Sequence, residues 1–581
     1  MSQNLIIKFR DEILLTSDEL VNFAPRDEYT ELALRYSELA GYEYFSPKYI
    51  ENNRKNWSAF AQLIQKISKE TDAAPDYLFD NVDAYLPLSL LEEIKKPEKD
   101  GFRRFNNLPE ATADKIPNLY NYFKISLPDG ISNAQIADWL GELGTFLPDA
   151  STVARTKLGN VPLHFAPSLL AAVYLVGEPE EASVEPGHME PPLNPALGNQ
   201  HYLADMSIPL NTTRGQDVGL TILEVNGWDT THGQLESASF PVVFPTDIIW
   251  QGSPSLTSLR QYPALSTHGT KILGVLRAKH GDSNPMPNGV DLCQGIVPNA
   301  TIRLASCLSS LSLALPLRKQ YDEASALLEI VNTSERGDIV LIEVAFNGQK
   351  YPVDVVPAMH DLIALARLKE ITVVAAAGNK SLYLPIESNP ASVGQPITQI
   401  VPVSLIDAVK PEHSQSFWMA YRQITDHLRT EMGDDFVEYD SPEDFIASYQ
   451  ANASAAILVG ASRQPERVPR RQPRTIVATR KSTSSYGPRV NVYAQGENIL
   501  STTIEGKYYT TSDTSGASAI IAGFATLLQS QAKQDQYLIQ PDEMRILLTQ
   551  GTTVSNSVGG VIPDYGLASA MLSGWIADQN T

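Results

Sequence analysis

Four short apolar runs constrain this chain more than any other feature: GLTILEV (219–225), DIVLIEVAF (338–346), ITVVAAAG (371–378) and SAAILVGAS (454–462). A strand with one wet face alternates polar and apolar residues, whereas a run without alternation is buried on both faces. Helical segments separate these runs, among them EASALLEIVNTS (323–334) and AMHDLIALARLKE (358–370). Buried strands alternating with helices predict an α/β domain with a mostly parallel central sheet. It runs from about Asp217 to residue 581. A charged and aromatic stretch, about 382–452, breaks the rhythm and reads as an insertion.

Residues 1–165 have a different texture. LIIKFR (5–10) reads as a strand, and WSAFAQLIQKISKE (57–70) has helical spacing at Phe60, Leu63, Ile64 and Ile67. YNYFKISLP (120–128) alternates like a strand, Ser132 can cap the following helix NAQIADWLGELGTFL, and TVARTKLG (152–159) reads as a further strand. The β–α–β succession predicts a small ferredoxin-like α/β module. Between the two domains, residues 166–216 carry one short apolar run and then the Pro- and Glu-rich GEPEEASVEPGHMEPPLNP (177–195), the composition of an exposed linker open to proteolysis.

Composition excludes some functions. The 581 residues hold 45 basic and 67 acidic side chains, a net charge of −22. That sign argues against nucleic acid as a partner. Cys293 and Cys307 cannot build a disulfide framework in a chain of this size and read as buried thiols. No apolar stretch approaches the ~20 residues of a membrane helix, and MSQNLIIKFRDEILL lacks the pattern of a signal peptide. The expectation is a protein without membrane attachment, cytoplasmic by default, with non-classical export open.

Hydroxyl nucleophilic catalysis needs a serine, a base, an acid that orients the base and donors for an oxyanion. Four segments of the large domain supply candidates. TSDTSGASAIIAGFATLL (511–528) sets Ser515 at the start of an apolar helix, where backbone N–H groups converge. STHGTKILGVLRA (266–278) sets His268 at the head of another helix, with His232 and His280 as competing bases. VVAAAGNKS (373–381) ends a buried strand in Gly378–Asn379, where a side-chain amide can donate to an oxyanion. TILEVNGWDTTHGQL (221–235) ends the first strand near two acids, Glu224 and Asp229. Taken singly, each has an ordinary structural reading as a cap, core histidine, turn asparagine or solvated acid.

Together, and in this order, they resemble the subtilisin-like serine proteases, the subtilases. HGTKILG (268–274) resembles the family's histidine motif, AAAGN (375–379) its oxyanion-asparagine motif, and TSGASAIIAG (514–523) its nucleophile motif. GIVPNATI (295–302) and STSSYGPRVNVYAQGENILST (482–502) resemble further family segments. The likeness covers about 217–575. Departures are Asp513 in place of a glycine, Ala519 in place of a proline and Thr267 before the histidine. The family's aspartate position falls on Val225, one residue beyond Glu224, and one step along a strand reverses the side chain's face. A bulge at Val225–Asn226 would bring Glu224 back into line. Glu224 is therefore the expected acid, with Asp229 in reserve.

The resemblance implies a subtilisin-like three-layer α/β fold preceded by a propeptide-type module. It also implies a serine endopeptidase acting through Ser515, His268 and Glu224, with Asn379 in the oxyanion hole. Substrates are proteins or peptides, bound as an added strand beside IEVAFNG (342–348), where Glu343 and Gly378 are the expected substrate-binding residues and Glu343 would favour a basic residue. The N-terminal module is the expected intramolecular inhibitor, released by autocleavage between 160 and 217. No metal ligand and no required cofactor is expected, and calcium remains possible as in other subtilases. Two rival readings stand beside this one: a pseudoprotease kept as a binding module, and a non-proteolytic hydrolase on the same scaffold.

Overall fold

A computed structural model describes residues 3–9, 54–79, 92–94, 101–105, 117–128, 130–146, 169–176, 179–181, 200–209, 214–235, 239–245, 249–251, 257, 262–279, 293–312, 318–346, 351–381, 455–463, 479–487, 489–555 and 561–579. The expected strand at 152–159, the expected insertion at 382–452 and His280 lie outside them.

The N-terminal region folds on its own apolar residues. Strands β1 (Gln3–Phe9), β2 (Asp76–Tyr77), β4 (Tyr122–Leu127) and β5 (Leu170–Val176) form an antiparallel sheet in the order β2–β4–β1–β5. Helix α1 (Arg54–Thr71) aims Trp57, Phe60, Ile64 and Ile67 at this sheet, and α2 (Asn133–Gly144) adds Trp139 and Leu143. Ser132 caps α2 as its sequence suggests, its hydroxyl accepting from Gln135 N at 3.2 Å. Phe9 is the hub, stacked on Trp57 and edge-on to Phe60 and Phe123. The linker boundary at 166 needs correction. The apolar run LAAVYLV pairs with β1 across its length, because an unalternated run is more stable inside a sheet than in solvent, so the module reaches at least Val176.

The large domain is built on a nine-stranded sheet among the described residues. Its order is β22 (Thr552–Ser555), β23 (Val561–Pro563), β18 (Val492–Gln495), β17 (Ile457–Ser462), β16 (Thr372–Ala376), β13 (Ile339–Ile342), β7 (Gly219–Glu224), β10 (Thr301–Ser306), β8 (Val242–Phe244). All pairings are parallel except β22–β23. The four apolar runs of the sequence supply β7, β13, β16 and β17, each inside the sheet. Helices α3 (Pro263–Arg277), α4 (Glu323–Thr333), α5 (Pro357–Leu368), α6 (Asp513–Gln534), α7 (Pro541–Gln550) and α8 (Tyr565–Gln579) pack around it. Helix α6 is buried on nearly every side, as its all-round apolar sequence requires.

Smaller pieces complete the domain. Strands β9 (Ile249–Gln251), β11 (Leu308–Ser312) and β12 (Arg318–Tyr321) form one small sheet, and β19 (Ile499–Thr502) and β20 (Tyr508–Thr511) a hairpin leading into α6. The run DIVLIEVAF does not continue as one strand. It breaks at Glu343, and β14 (Val344–Phe346) leaves the main sheet to sit between β15 (Tyr351–Pro352) and β6 (Glu180–Glu181).

Among the described residues the contacts that fasten the two halves include two polar ones. Lys8 and Tyr122, on the N-terminal sheet, both bind the Asp361 carboxylate on α5, Tyr122 Oη donating at 2.6 Å. Burial raises the Asp361 pKa, but the charges of Lys8 and His360 outweigh it and bring it down to about 2. Farther along, β3 (Arg103–Arg104) pairs with β21 (Tyr537–Leu538), and Arg104 grips Glu370 with two hydrogen bonds of 2.9 and 2.7 Å.

Candidate active site

In open α/β sheets ligands bind beyond the carboxyl ends of the strands, where consecutive connections diverge. Here that point is β7, flanked by β10 on one side and β13 on the other. Glu224 is its last residue, Glu343 follows β13, and Gly378–Asn379 follow β16, so three strand ends deliver three polar side chains to one region.

Glu224 Oε2 lies 2.9 Å from His268 Nδ1, and both side chains are buried. Since an ionised carboxylate only accepts, Nδ1 carries the proton and Nε2 is the basic nitrogen. Val225–Asn226, the site of the expected bulge, lie beyond the paired part of β7, whose register with β10 is unbroken up to Glu224. The strand ends there, and glutamate's extra methylene supplies the reach. His268 sits in the second turn of α3, not at its first residue, because Pro263 starts the helix one turn earlier. Gly269 beside it lets the chain after β7 come close: a Cβ there would sit 2.7 Å from both Gly227 O and Trp228 Nε1.

Asp229 has another function in the fold. Its Oδ1 accepts from Thr231 N at 3.1 Å and Thr231 Oγ1 at 2.6 Å, and Oδ2 accepts from Glu505 N at 3.3 Å. His232, the competing base, donates from Nε2 to Lys507 O and accepts at Nδ1 from Gln234 N. Burial lowers its pKa. Cys293 and Cys307 are free buried thiols, and burial pushes Cys293 up to about 12.

Ser515 is the third residue of α6 and has no exposed surface. Its Oγ makes no hydrogen bond of regular geometry among the described residues, although it lies close enough to the Glu343 carboxyl to act on its charge. The first turn of a helix leaves backbone N–H groups unpaired and carries positive potential, which suits a developing oxyanion. Asn379 is locked beside it: Oδ1 accepts from Thr514 N at 3.0 Å and Thr514 Oγ1 at 2.8 Å, which fixes Nδ2 as the amide's donor side. Gly378 turns the chain there with φ of +94°, and its carbonyl accepts from Ser485 N. Asp513, in the family's glycine position, holds φ at +66° and is gripped by Lys481 and Thr483 Oγ1.

Glu343 is wholly buried, its Oε1 2.7 Å from Ser518 Oγ, with Ser515, His268 and Glu224 close enough to act on its charge. In the intact chain it is enclosed against the serine helix. Burial first, then the Glu224 charge, raises its pKa well above the usual carboxylate range. The hydrogen bonds agree with a neutral acid. Ser518 owns one proton yet stands within 2.9 Å of three oxygens, Glu343 Oε1, Thr514 O and Ser515 O. A protonated Glu343 supplies the second.

The subtilase family model matches residues 249–566, more than half of the chain. The chain belongs to the subtilase family. As a subtilase it is a serine-type peptidase, and its nine-stranded, mostly parallel sheet is the α/β fold of that class. Solved structures similar to this subtilase include the patellamide maturation protease PatA (17% identity over 62% of this chain and 98% of that one, TM-score 0.35). Fervidolysin from Fervidobacterium pennivorans, a keratinolytic enzyme related to subtilisin, is 15% identical over 84% of this chain and 60% of its own, TM-score 0.43. A cold-adapted subtilisin-like serine proteinase is 14% identical over 61% and 89%, TM-score 0.35. No curated protein sequence matches this subtilase.

His268, Asn379 and Ser515 fall within the matched span, and Glu224 precedes it. The sequence alone did not single out Ser518, Thr514 or Lys481. Ser518, one helical turn after Ser515, was open to detection by its spacing. Among the described residues no group of three or more His, Cys, Asp or Glu side chains is arranged to hold a metal, and no helix is long and apolar enough to cross a membrane.

Proposed function

We propose that this subtilase is an endopeptidase made as a zymogen, acting through Ser515, His268 and Glu224. The observation that carries the reading is the buried 2.9 Å contact between Glu224 and His268 Nδ1. With Nδ1 so engaged, Nε2 takes the Ser515 proton as Oγ attacks the scissile carbonyl, then returns it to the leaving amine. The Asn379 amide and the Ser515 backbone N–H would receive the oxyanion. Glu224 holds the ring and stabilises the imidazolium. Glu343, neutral and enclosed, braces the serine helix through Ser518 and does not select a basic residue; Gly378 gives backbone to the cleft. No step uses a metal.

The N-terminal module is read as the intramolecular inhibitor. Its docking on α5 through Lys8, Tyr122 and Asp361 supports this, as does the complete burial of Ser515 in the intact chain. Protein or peptide substrates gain access after cleavage of the linker. Purified protein, processed and unprocessed, treated with a fluorophosphonate probe tests the reading. Labelling of the processed form at Ser515, absent in Ser515→Ala, is expected; a processed form that stays unlabelled would support the pseudoprotease reading instead.

A further inference from the structure

The two oxyanion donors come from separate elements, Asn379 from the turn after β16 and the Ser515 N–H from the first turn of α6. Two donors stabilise one oxygen only when both aim at it, and a misplacement of about 1 Å costs on the order of 10²-fold in rate. Thr514 joins the two elements directly through the Asn379 side chain. A third segment, residues 480–485 beyond β17, reaches both as well. On the asparagine side, Ser485 N donates to Gly378 O at 2.9 Å and Ser381 N to Thr483 O at 2.7 Å, so the turn is held before and after Asn379. On the serine side, Thr483 Oγ1 donates to Asp513 Oδ1 at 3.1 Å, and Lys481 pairs with the same oxygen. The segment is anchored to the sheet in turn: Lys481 N donates to Ala461 O and Ala461 N to Ser484 Oγ, both at 2.9 Å.

Backbone strain sits at the same two places. Ser381, two residues after Asn379, holds φ at +52°, and Asp513, two residues before Ser515, holds φ at +66°. Left-handed backbone costs a residue with a side chain roughly 1–2 kcal/mol and persists where the surroundings over-determine it. Thr483 touches both strained residues, its carbonyl meeting Ser381 N and its hydroxyl meeting the Asp513 carboxylate. Asp513 is only 6% exposed, and a charge so enclosed needs its partners. A glycine at 513 would take the same φ without strain and bury no charge, but it would offer Lys481 and Thr483 nothing to hold. The aspartate is thus costly for the fold alone, and what it adds is a fixed link from the serine helix to the asparagine turn.

We propose that Asp513, Lys481 and Thr483 are positioning residues for the oxyanion hole, clamping the first turn of α6 to the Asn379 turn so that both donors meet one oxygen. The inference rests on the serine-protease reading above. The three residues act through Asn379 and the Ser515 N–H and not on the scissile bond itself. Their loss therefore lowers the rate of the chemical step and leaves binding of the reactant nearly unchanged. It also matters only while Asn379 is there to be aligned, so the effects of the clamp and of Asn379 are not additive.

The test follows labelling of Ser515 by a fluorophosphonate–rhodamine probe, whose phosphonyl oxygen enters the hole as it reacts. The maximal labelling rate and the probe concentration giving half of it are measured separately. Processed enzyme is used throughout, nicked in the linker by an added protease where a variant does not process itself. Thr483→Val is the first variant, because Thr483 is exposed and the change leaves the core untouched. Asp513→Gly is the second, because it removes the clamp and the backbone strain together. Each should lower the maximal rate about tenfold with the half-saturating concentration within about twofold, and Thr483→Ser, which keeps the hydroxyl, should restore the rate. In an Asn379→Ala background the same two substitutions should change the rate by no more than about twofold. Both variants keeping the parent's maximal rate, or losses that multiply in full with that of Asn379→Ala, would overturn the inference while leaving the protease reading intact. A parent enzyme that stays unlabelled after nicking would remove the protease reading itself, and the inference with it.

Discussion

Glu343→Gln isolates the protonation state of the acid beneath the serine. The parent carboxyl is fully buried beside Glu224, with a pKa raised by burial and then by that charge. In the unfolded chain it titrates near 4.5. Between that value and its folded pKa, the folded state keeps a proton that the unfolded state releases. Stability from this group is fully present below about pH 4.5 and is lost as pH rises through the folded pKa, at about 1.4 kcal/mol per unit. As pH rises above 4.5 the parent gives up stability that a glutamine at 343 does not. Glutamine matches the hydrogen bonds, its Nε2–H replacing the acid's O–H toward Ser518. The assay is denaturant unfolding at pH 5, 6, 7 and 8, in a Ser515→Ala background so that no self-cleavage intervenes. The expected result is a stability gap between Glu343→Gln and parent that widens toward high pH. A gap constant across the four values would mean that Glu343 is ionised in the fold and would refute the reasoning.

Glu224→Gln should lower kcat about 10⁴-fold with the fold intact, because the imidazole loses the partner that fixes its tautomer. Asp229→Asn should leave kcat within tenfold while costing about 1–3 kcal/mol of stability, since it disturbs the carboxylate that ties Thr231 and Glu505 together; steady-state kinetics with melting curves separates the two acids. Asn379→Ala should cost about 10²–10³ in kcat with little change in KM, the signature of a donor used in the transition state. Asp513→Gly should be less destabilising than Asp513→Ala by about 1 kcal/mol, because φ is +66° there and both lose the Lys481 pair. Equal melting shifts would contradict that.

Much of the large domain was legible because its strands are buried on both faces. GLTILEV, ITVVAAAG and SAAILVGAS carry no polar alternation and fold as central parallel strands. His268, Asn379 and Ser515 were legible because their neighbours are constrained by geometry as well as chemistry: Gly269 must admit the chain after β7, and Gly378 must hold a positive φ. The acid was harder. Glu224 ends the strand and Asp229 follows it closely, and spacing alone cannot tell a carboxylate aimed at a histidine from one that caps its own turn. The local sign was Thr231, two residues after Asp229, whose N–H and hydroxyl take Oδ1. The linker was least legible. Glu180–Glu181 has no strand pattern, and its pairing with β14 is set by long-range geometry that a two-residue segment cannot encode.

The break of DIVLIEVAF at Glu343 has a physical cause that reaches across the site. A continuous strand would bury a carboxyl against the sheet's core with nothing to bind. By leaving the main sheet at this residue, the chain lets Glu343 N–H still donate to Leu223 O at 2.9 Å while its side chain reaches Ser518 on α6. One residue then sets three registers: β7, whose last residue is Glu224; α6, whose third residue is Ser515; and β14, which begins at Val344 and carries β6 along its edge. A neutral side chain suits that junction. An ionised one would add a second negative charge beside Glu224, and a nearby negative charge favours the protonated form of a histidine. His268 would then hold its proton at pH values where a general base must be free to take one. Keeping Glu343 protonated lets it fix the position of the nucleophile without changing the charge that governs the base.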